Sequence, residues 1–104
     1  MPYFWVQIKV MSETLENTKQ AMADIAQLKR ICSQVRRDIV RMVHANDSGH
    51  PGGSLGCTEY FVALYFEIMK HDPQNFTMDG MNEDLFFLSN GHISPVWYSV
   101  LARS

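Results

Sequence analysis

The chain has 104 residues, the size of one small domain, and its 46% hydrophobic content is ordinary for a globular protein. Nine basic against 11 acidic residues give a formal charge of −2, which does not favour a nucleic-acid partner. No apolar run approaches the ~18 residues of a membrane-spanning helix, so no membrane partner is expected either. The two cysteines, Cys32 and Cys57, form no C-x-x-C pair and suit a reducing, cytoplasmic setting as small buried apolar groups.

The first ten residues are apolar, but they lack the basic leader and the small-residue cleavage site of a signal peptide. Met11-Ser12-Glu13 is a second plausible start. Residues 1–12 are therefore predicted to be an N-terminal extension, and residues 13–104 the domain proper.

Apolar residues at steps of three and four predict one long helix, or two with a bend, from about residue 13 to residue 45. Its apolar face comprises Leu15, Met22, Ile25, Leu28, Cys32, Val35, Ile39 and Met42 or Val43. Ser12 or Thr14 is the predicted N-cap, and the turn-forming cluster at 46–49 should end the helix. Basic residues from Lys29 to Arg41 are interleaved with the apolar positions, which favours a solvated face over an anion site.

A glycine-rich segment follows the long helix. Ser48–Gly56 holds four glycines and one proline in nine residues and is predicted to be a loop. Thr58–Lys70 is predicted to be a second helix, and a buried one because apolar residues cover most of its circumference. Those residues are Phe61, Val62, Leu64, Tyr65, Phe66, Ile68 and Met69.

Beyond a polar surface connection at 71–84, the short apolar run Leu85–Leu88 predicts a fully buried parallel strand, with a helix as the alternative. Ile93–Ala102 predicts a last helix, with Pro95 in its first turn. One strand cannot make a sheet. Either Tyr3–Val10 supplies a second strand, or the other strands belong to sequence outside this chain.

Two histidines follow glycine-bearing segments and are the candidate chemical groups. Pro51 stiffens the segment after His50, so this imidazole is held ready to bond a hydroxyl or exchange a proton near neutral pH. His92 follows the predicted strand and opens a helix, where free N–H groups and the helix dipole favour an anion. On local grounds a helix-capping role stays open for both.

His44 and His71 complete the histidine set. Each is predicted to lie in the last turn of a helix, where a cation is favourable. A four-histidine metal site is conceivable, but no H-x-x-x-H or H-x-H pair supports it, and no metal ligand is assigned to this chain.

Taken together, Ser48-Gly49-His50-Pro51-Gly52-Gly53-Ser54-Leu55, the apolar helix after it, and Asp84-Leu85-Phe86-Phe87-Leu88-Ser89-Asn90-Gly91-His92 resemble the transketolase family, especially the N-terminal section of its split bacterial forms. The resemblance covers roughly residues 20–104. One departure is Leu85, where the family usually has arginine.

The resemblance implies an α/β fold, with a three-layer parallel sheet and helices, of which this chain supplies a mostly α part with one buried strand. It implies a cytoplasmic, metal-dependent transferase of the pentose phosphate pathway that moves a two-carbon ketol unit between sugar phosphates with thiamine diphosphate and Mg²⁺. By resemblance His50 is catalytic and contacts the substrate, and His92 contacts the cofactor near its diphosphate.

The family's metal-binding Gly-Asp-Gly motif and its catalytic glutamate do not occur in this chain. The resemblance therefore implies a fragment, inactive alone, that needs a C-terminal section or a second subunit in a homo- or hetero-oligomer. Two alternatives stay open: a deoxyxylulose-phosphate synthase-like fragment, which the intact His50-Pro51-Gly52 disfavours, and a non-catalytic helical assembly module.

Overall fold

The structure, a computed structural model, describes the backbone of residues 2–104, and the side chains except at 1–5, 18 and 20–23. Within this part the helices are α1 (Pro2–Asn46), α2 (Pro51–Gly56), α3 (Thr58–Ala63) and α4 (Ser94–Arg103). A π-helical turn, Leu64–Ile68, continues α3, and a 3-10 turn, Gly91–Ile93, precedes α4. None of the helices among these residues is long and apolar enough to cross a membrane.

The core lies where the second half of α1 packs against α3 and α4. It comprises Cys32, Val35 and Ile39 from α1, Phe61, Val62 and Tyr65 from α3 and its π turn, and Val96 and Val100 from α4. Burial of these apolar surfaces supplies the main force that holds the helices together. Burial also raises the pKa of the Cys32 thiol, which agrees with its predicted role as a small apolar group.

The long first helix is confirmed, but it begins earlier than predicted. The backbone is helical from Pro2, so the alternative of a strand at Tyr3–Val10 is wrong. The predicted caps are wrong too: Thr14 lies inside the helix and donates its hydroxyl to the Val10 carbonyl at 2.8 Å. No Gly or Pro interrupts the sequence after Pro2 until Gly49, so nothing local ends the helix before Asn46.

The apolar face of α1 is confirmed only in its second half. From Leu28 onward the predicted residues are buried or half-buried, whereas Leu15 and Ile25 are 61% and 53% exposed. The Met22 side chain lies outside the described residues. Helical spacing shows which side chains share a face. Burial of that face also needs a second helix against it, and the α1 residues in the core begin at Leu28.

The predicted end of α1 is confirmed. The chain leaves the helix at Asn46, and both Asp47 (φ 49°) and Gly49 (φ 108°) take left-handed backbone conformations. The φ of Gly49 lies where an L side chain is strained, so glycine is needed there.

The glycine-rich segment was predicted to be a loop throughout. This is wrong for Pro51–Gly56, which forms the short helix α2. Pro51 occupies the first turn, where its missing N–H costs least. A Cβ on Gly53 would lie 3.0 Å from Ile93 Cγ2, so this glycine lets α2 approach the start of α4 closely. Packing of the buried Ser54 side chain compensates for the low helix propensity of glycine.

The second helix is confirmed, with a different ending. Phe61, Val62 and Tyr65 are buried as predicted, but Ile68 is 71% exposed and the helix ends there, before Lys70. The last turn is wider than an α-helical turn, since the Met69 N–H donates to the Leu64 carbonyl at 2.8 Å.

Leu85–Leu88 does not form the predicted buried strand among the described residues. A β-strand is defined by its ladder of hydrogen bonds to a neighbouring strand. Leu85–Leu88 has no such neighbour among residues 2–104 and is therefore irregular. Its side chains alternate as those of an extended chain do. Phe86 and Leu88 are half-buried, whereas Leu85 and Phe87 are 63% and 85% exposed.

The remaining predictions hold. The connection at 71–84 is almost entirely exposed, and Lys70 and Asp84 close its base: the Lys70 N–H donates to Asp84 Oδ2 at 2.7 Å, and the Asp84 N–H to the Lys70 carbonyl at 3.0 Å. The last helix is present as α4 with Pro95 in its first turn. The basic face of α1 is mostly solvated.

Candidate functional site

The structure brings the two predicted histidines together. His50 is the residue immediately before α2, and His92 lies in the 3-10 turn immediately before α4. Their ring centroids are 5.8 Å apart, with the planes tilted by 39°. Both side chains are exposed to solvent, so a ligand can reach both rings at once.

The loop between α1 and α2 sets the direction of His50. Its backbone is extended (φ −121°, ψ 106°), a conformation that proline at the next position favours. The two left-handed residues before it, Asp47 and Gly49, reverse the chain at the end of α1. The imidazole is therefore held on a short, stiff connection between two helices.

Asn90 fixes the turn that carries His92. Its Oδ1 accepts from the His92 N–H at 3.2 Å, and its backbone carbonyl accepts from the Ile93 N–H at 3.2 Å. The Ser94 hydroxyl donates to the Gly91 carbonyl at 2.7 Å and closes the turn. Asn90 was not among the predicted site residues, although asparagine before a helix is a recognisable capping signal.

A cavity of about 530 Å³ lies between the two rings. It is lined by Gly49, His50, Ser89, Asn90, Gly91, His92 and Pro95. All of these residues except Pro95 come from the two segments that carried the sequence resemblance, so the two segments share one cavity.

The start of α4 offers fewer free N–H groups than its position suggested. The His92 N–H donates to Asn90, the Val96 N–H donates to the buried Ser54 Oγ at 3.4 Å, and Pro95 has no N–H. We expected free N–H groups at this helix start to favour an anion next to His92, but two of these N–H groups already have acceptors within the chain.

The side chains that line the cavity are mainly hydrogen-bond donors. Two imidazoles, a serine hydroxyl and an asparagine amide can donate to hydroxyl or phosphate oxygens, and an imidazole can also accept a proton. No carboxylate lines the cavity, and carboxylates are the ligands that Mg²⁺ prefers. The side chains that line the cavity thus suit phosphate oxygens better than Mg²⁺.

The other two histidines lie elsewhere. His71 is half-buried, with its Nε2 3.0 Å from Ser104 Oγ and its ring edge-on to Tyr65. His44 is exposed in the last turn of α1, as predicted, and lines a separate cavity of about 450 Å³. Among the described side chains no three His, Cys, Asp or Glu residues are grouped to hold a metal ion.

Comparison with known proteins decides the family. Residues 27–103 match the family described as "Transketolase, thiamine diphosphate binding domain". The chain belongs to the transketolase family. The resemblance inferred from the two histidine segments is confirmed, and the matched domain is the one that binds thiamine diphosphate in this family.

Individual relatives agree with this assignment. The chain is 35% identical over 98 residues to the chloroplastic transketolase of Solanum tuberosum, a match that covers 94% of this chain and 12% of the relative. It is 36% identical over 73 residues to transketolase 1 of Escherichia coli K12, with 70% and 11% covered. A 6-deoxy-6-sulfo-D-fructose transketolase subunit of Clostridium sp. MSTE9 is 49% identical over 55 residues, with 52% and 19% covered.

The transketolase-family chain therefore spans between 11% and 19% of the length of these relatives. It corresponds to part of the thiamine diphosphate binding domain.

Proposed function

We propose that this chain supplies the histidine-bearing wall of a transketolase active site, in which a two-carbon ketol unit passes from a ketose phosphate to an aldose phosphate. The observation that carries the proposal is the convergence of His50 and His92, 5.8 Å apart, on one cavity. Two segments that lie about forty residues apart in the sequence present imidazoles to the same open space, which a purely structural pair of helix caps does not require.

His50 contacts the donor sugar phosphate in this proposal. Its ring is exposed at the cavity and held by a stiff loop, so it can hydrogen-bond a substrate hydroxyl and transfer a proton near neutral pH. The fixed position matters because proton transfer needs a heavy-atom separation of about 3 Å between the base and the reacting group.

His92 contacts the cofactor near its diphosphate. Together with Ser89 and Asn90 it forms a set of donors with no opposing carboxylate, a composition that suits phosphate oxygens. Thiamine diphosphate, when bound, stabilises the carbanion of the transferred unit. The residues of this chain would hold its phosphate end and orient the donor sugar.

The Mg²⁺ that accompanies thiamine diphosphate in the resemblance does not fit the residues of this cavity, because the cavity offers no carboxylate. We place its ligands, and the catalytic glutamate, on polypeptide other than the described residues. The chain alone is accordingly expected to be inactive.

The exposed apolar surface supports a need for further polypeptide. Leu85 and Phe87 point into solvent, and nearby Met78 and Met81 are 94% and 67% exposed. Surfaces of this kind mark binding sites for other protein segments. We propose that Leu85–Leu88 becomes a strand of a three-layer parallel sheet when a C-terminal section or a second subunit pairs with it.

The same proposal places the assembled homo- or hetero-oligomeric enzyme in the cytoplasm, in the pentose phosphate pathway. A non-catalytic assembly module is the second candidate, favoured by the same exposed side chains. That candidate leaves the convergence of the two histidines without a role.

The decisive experiment is a calorimetric titration of thiamine diphosphate with Mg²⁺, with and without a separately expressed C-terminal transketolase section, followed by an assay of ketol transfer. We expect tight binding and transfer only in the mixture. His50→Ala in the mixture should lower the rate of transfer about 100-fold or more, because general acid–base groups contribute on that scale. His92→Ala should mainly weaken cofactor binding.

His44→Ala is the matched control, since this exposed histidine lies outside the shared cavity. It should leave both binding and transfer unchanged. Tight cofactor binding by the chain alone, or equal activity of His50→Ala and His44→Ala, would overturn the proposal.

A further inference from the structure

Asp38, in the second half of α1, accepts three hydrogen bonds from α4. Ser99 Oγ donates to Oδ2 at 2.8 Å, Arg103 Nε donates to Oδ2 at 2.8 Å, and Arg103 Nη2 donates to Oδ1 at 2.9 Å. Gln34, one turn earlier on α1, donates to Oδ1 at 3.0 Å. The Asp38 side chain is only 16% exposed, whereas that of Arg103 is 44% exposed, so the carboxylate end of this fork is the shielded one.

The two helices that Asp38 joins are the ones next to the two histidines. α1 ends at Asn46, four residues before His50, and α4 begins at Ser94, two residues after His92. A sliding or rotation of α4 along α1 would therefore carry His92 away from His50.

The apolar contacts between α1 and α4 do not fix this register by themselves. Val35 and Ile39 pack with Val96 and Val100, and such burial is non-directional. A bidentate guanidinium–carboxylate pair is directional and has one geometry, and Ser99 adds a third bond one turn earlier on the same face. The bonds to the Asp38 carboxylate are thus a directional constraint on the register of α4 on α1, in addition to the bond from the Val96 N–H to Ser54 Oγ that ties the start of α4 to α2.

We propose that Asp38 is a positioning residue for the two-histidine site: through Ser99 and Arg103 it sets the distance between the His50 and His92 rings. Its catalytic consequence rests on the proposed function, but the positioning itself does not. Asp38 lines no part of the cavity and touches no ligand there.

The test is nuclear magnetic resonance of the full chain with labelled histidine. Rings with centroids 5.8 Å apart should give a nuclear Overhauser cross-peak between ring protons. Asp38→Asn should lose this cross-peak, because it removes the charge that holds Arg103, while the methyl signals of Val35 and Ile39 report an intact core. Glu59→Gln is the matched control. Glu59, on α3, forms an exposed ion pair with Arg36 of α1 that involves no residue of α4, so loss of this ion pair should leave the cross-peak unchanged.

If Asp38→Asn fails to fold, Ser99→Ala and Arg103→Gln decide, because they weaken the same fork from α4. Each single variant should weaken the cross-peak. The double variant, which removes all three bonds from α4 to Asp38, should abolish it. A retained cross-peak in Asp38→Asn, or in the folded Ser99→Ala/Arg103→Gln double variant, overturns the positioning proposal and leaves the proposed function standing. Failure of the wild-type mixture to transfer ketol units overturns the proposed function and leaves the positioning result standing.

Discussion

The carboxylate of Asp38 couples the packing of two helices to pH. Its hydrogen bonds from Arg103, strengthened by those from Ser99 and Gln34, hold the pKa of Asp38 at about 2, below the ordinary value of 3.8. Because the folded-state pKa is the lower one, the ionised form stabilises the fold. This contribution is fully present above pH 4 and is lost as the pH falls through 2.

The resulting prediction concerns acid stability. Asp38→Asn should lower the free energy of unfolding by about 1 to 2 kcal/mol at pH 6, the scale that the change in pKa implies after allowance for partial exposure. The difference from the wild type should shrink as the pH approaches 2, where the wild-type carboxyl is protonated as well. Urea unfolding of both proteins at pH 6, 4 and 2 measures it, and a difference that does not depend on pH would contradict it.

At the scale of elements, α1 has two halves with different roles. The second half provides core residues, whereas in the first half Val6, Ile8 and Val10 are 59%, 43% and 54% exposed. A helix of 45 residues is about 68 Å long, close to the 69 Å extent of the molecule, so its first half extends beyond the packed helices. These three apolar side chains therefore contribute little to the stability of the folded state.

Removal of residues 1–10, so that the chain starts at Met11, should change the free energy of unfolding by no more than about 0.5 kcal/mol, as expected for exposed positions. It also tests the prediction that residues 1–12 are an extension. Ile39→Ala in the packed half is the contrasting variant and should cost about 2 to 5 kcal/mol. A destabilised truncated chain would show that the first half does contribute to folding.

At the scale of the whole molecule, the side chains of Leu85–Leu88 divide between the core of the chain and its exposed surface. The Phe86 ring lies edge-on to those of Phe61 and Trp97, at 5.3 and 5.7 Å, whereas Phe87 next to it is 85% exposed. Two adjacent phenylalanines thus face opposite environments.

Phe87→Ser should leave the unfolding free energy of the chain nearly unchanged and weaken its association with a C-terminal section. Phe86→Ser should cost about 2 kcal/mol or more, since it leaves a cavity among aromatic rings. Thermal unfolding of each variant and a pull-down with the C-terminal section separate the two effects. If Phe87→Ser and Phe86→Ser had the same stability and the same affinity for the C-terminal section, Phe87 would have no particular role in that association.

Most of the helical structure could be predicted from the sequence. The spacing of Cys32, Val35 and Ile39, the turn at Asp47 and Gly49, and the proline in the first turn of α4 are local signals, and each was confirmed. The helical state of Pro51–Gly56 could not be predicted, since it depends on what packs against this segment.

By itself the sequence determined the family, through the order and spacing of the segments around His50 and His92, and the kind of chemistry those residues can perform. Only the tertiary structure decided that the two rings lie 5.8 Å apart, because that distance depends on the register of α4 on α1. The contacts that set this register join Asp38 to Ser99 and Arg103 across more than sixty residues, and local patterns in a sequence carry no record of such long-range pairings.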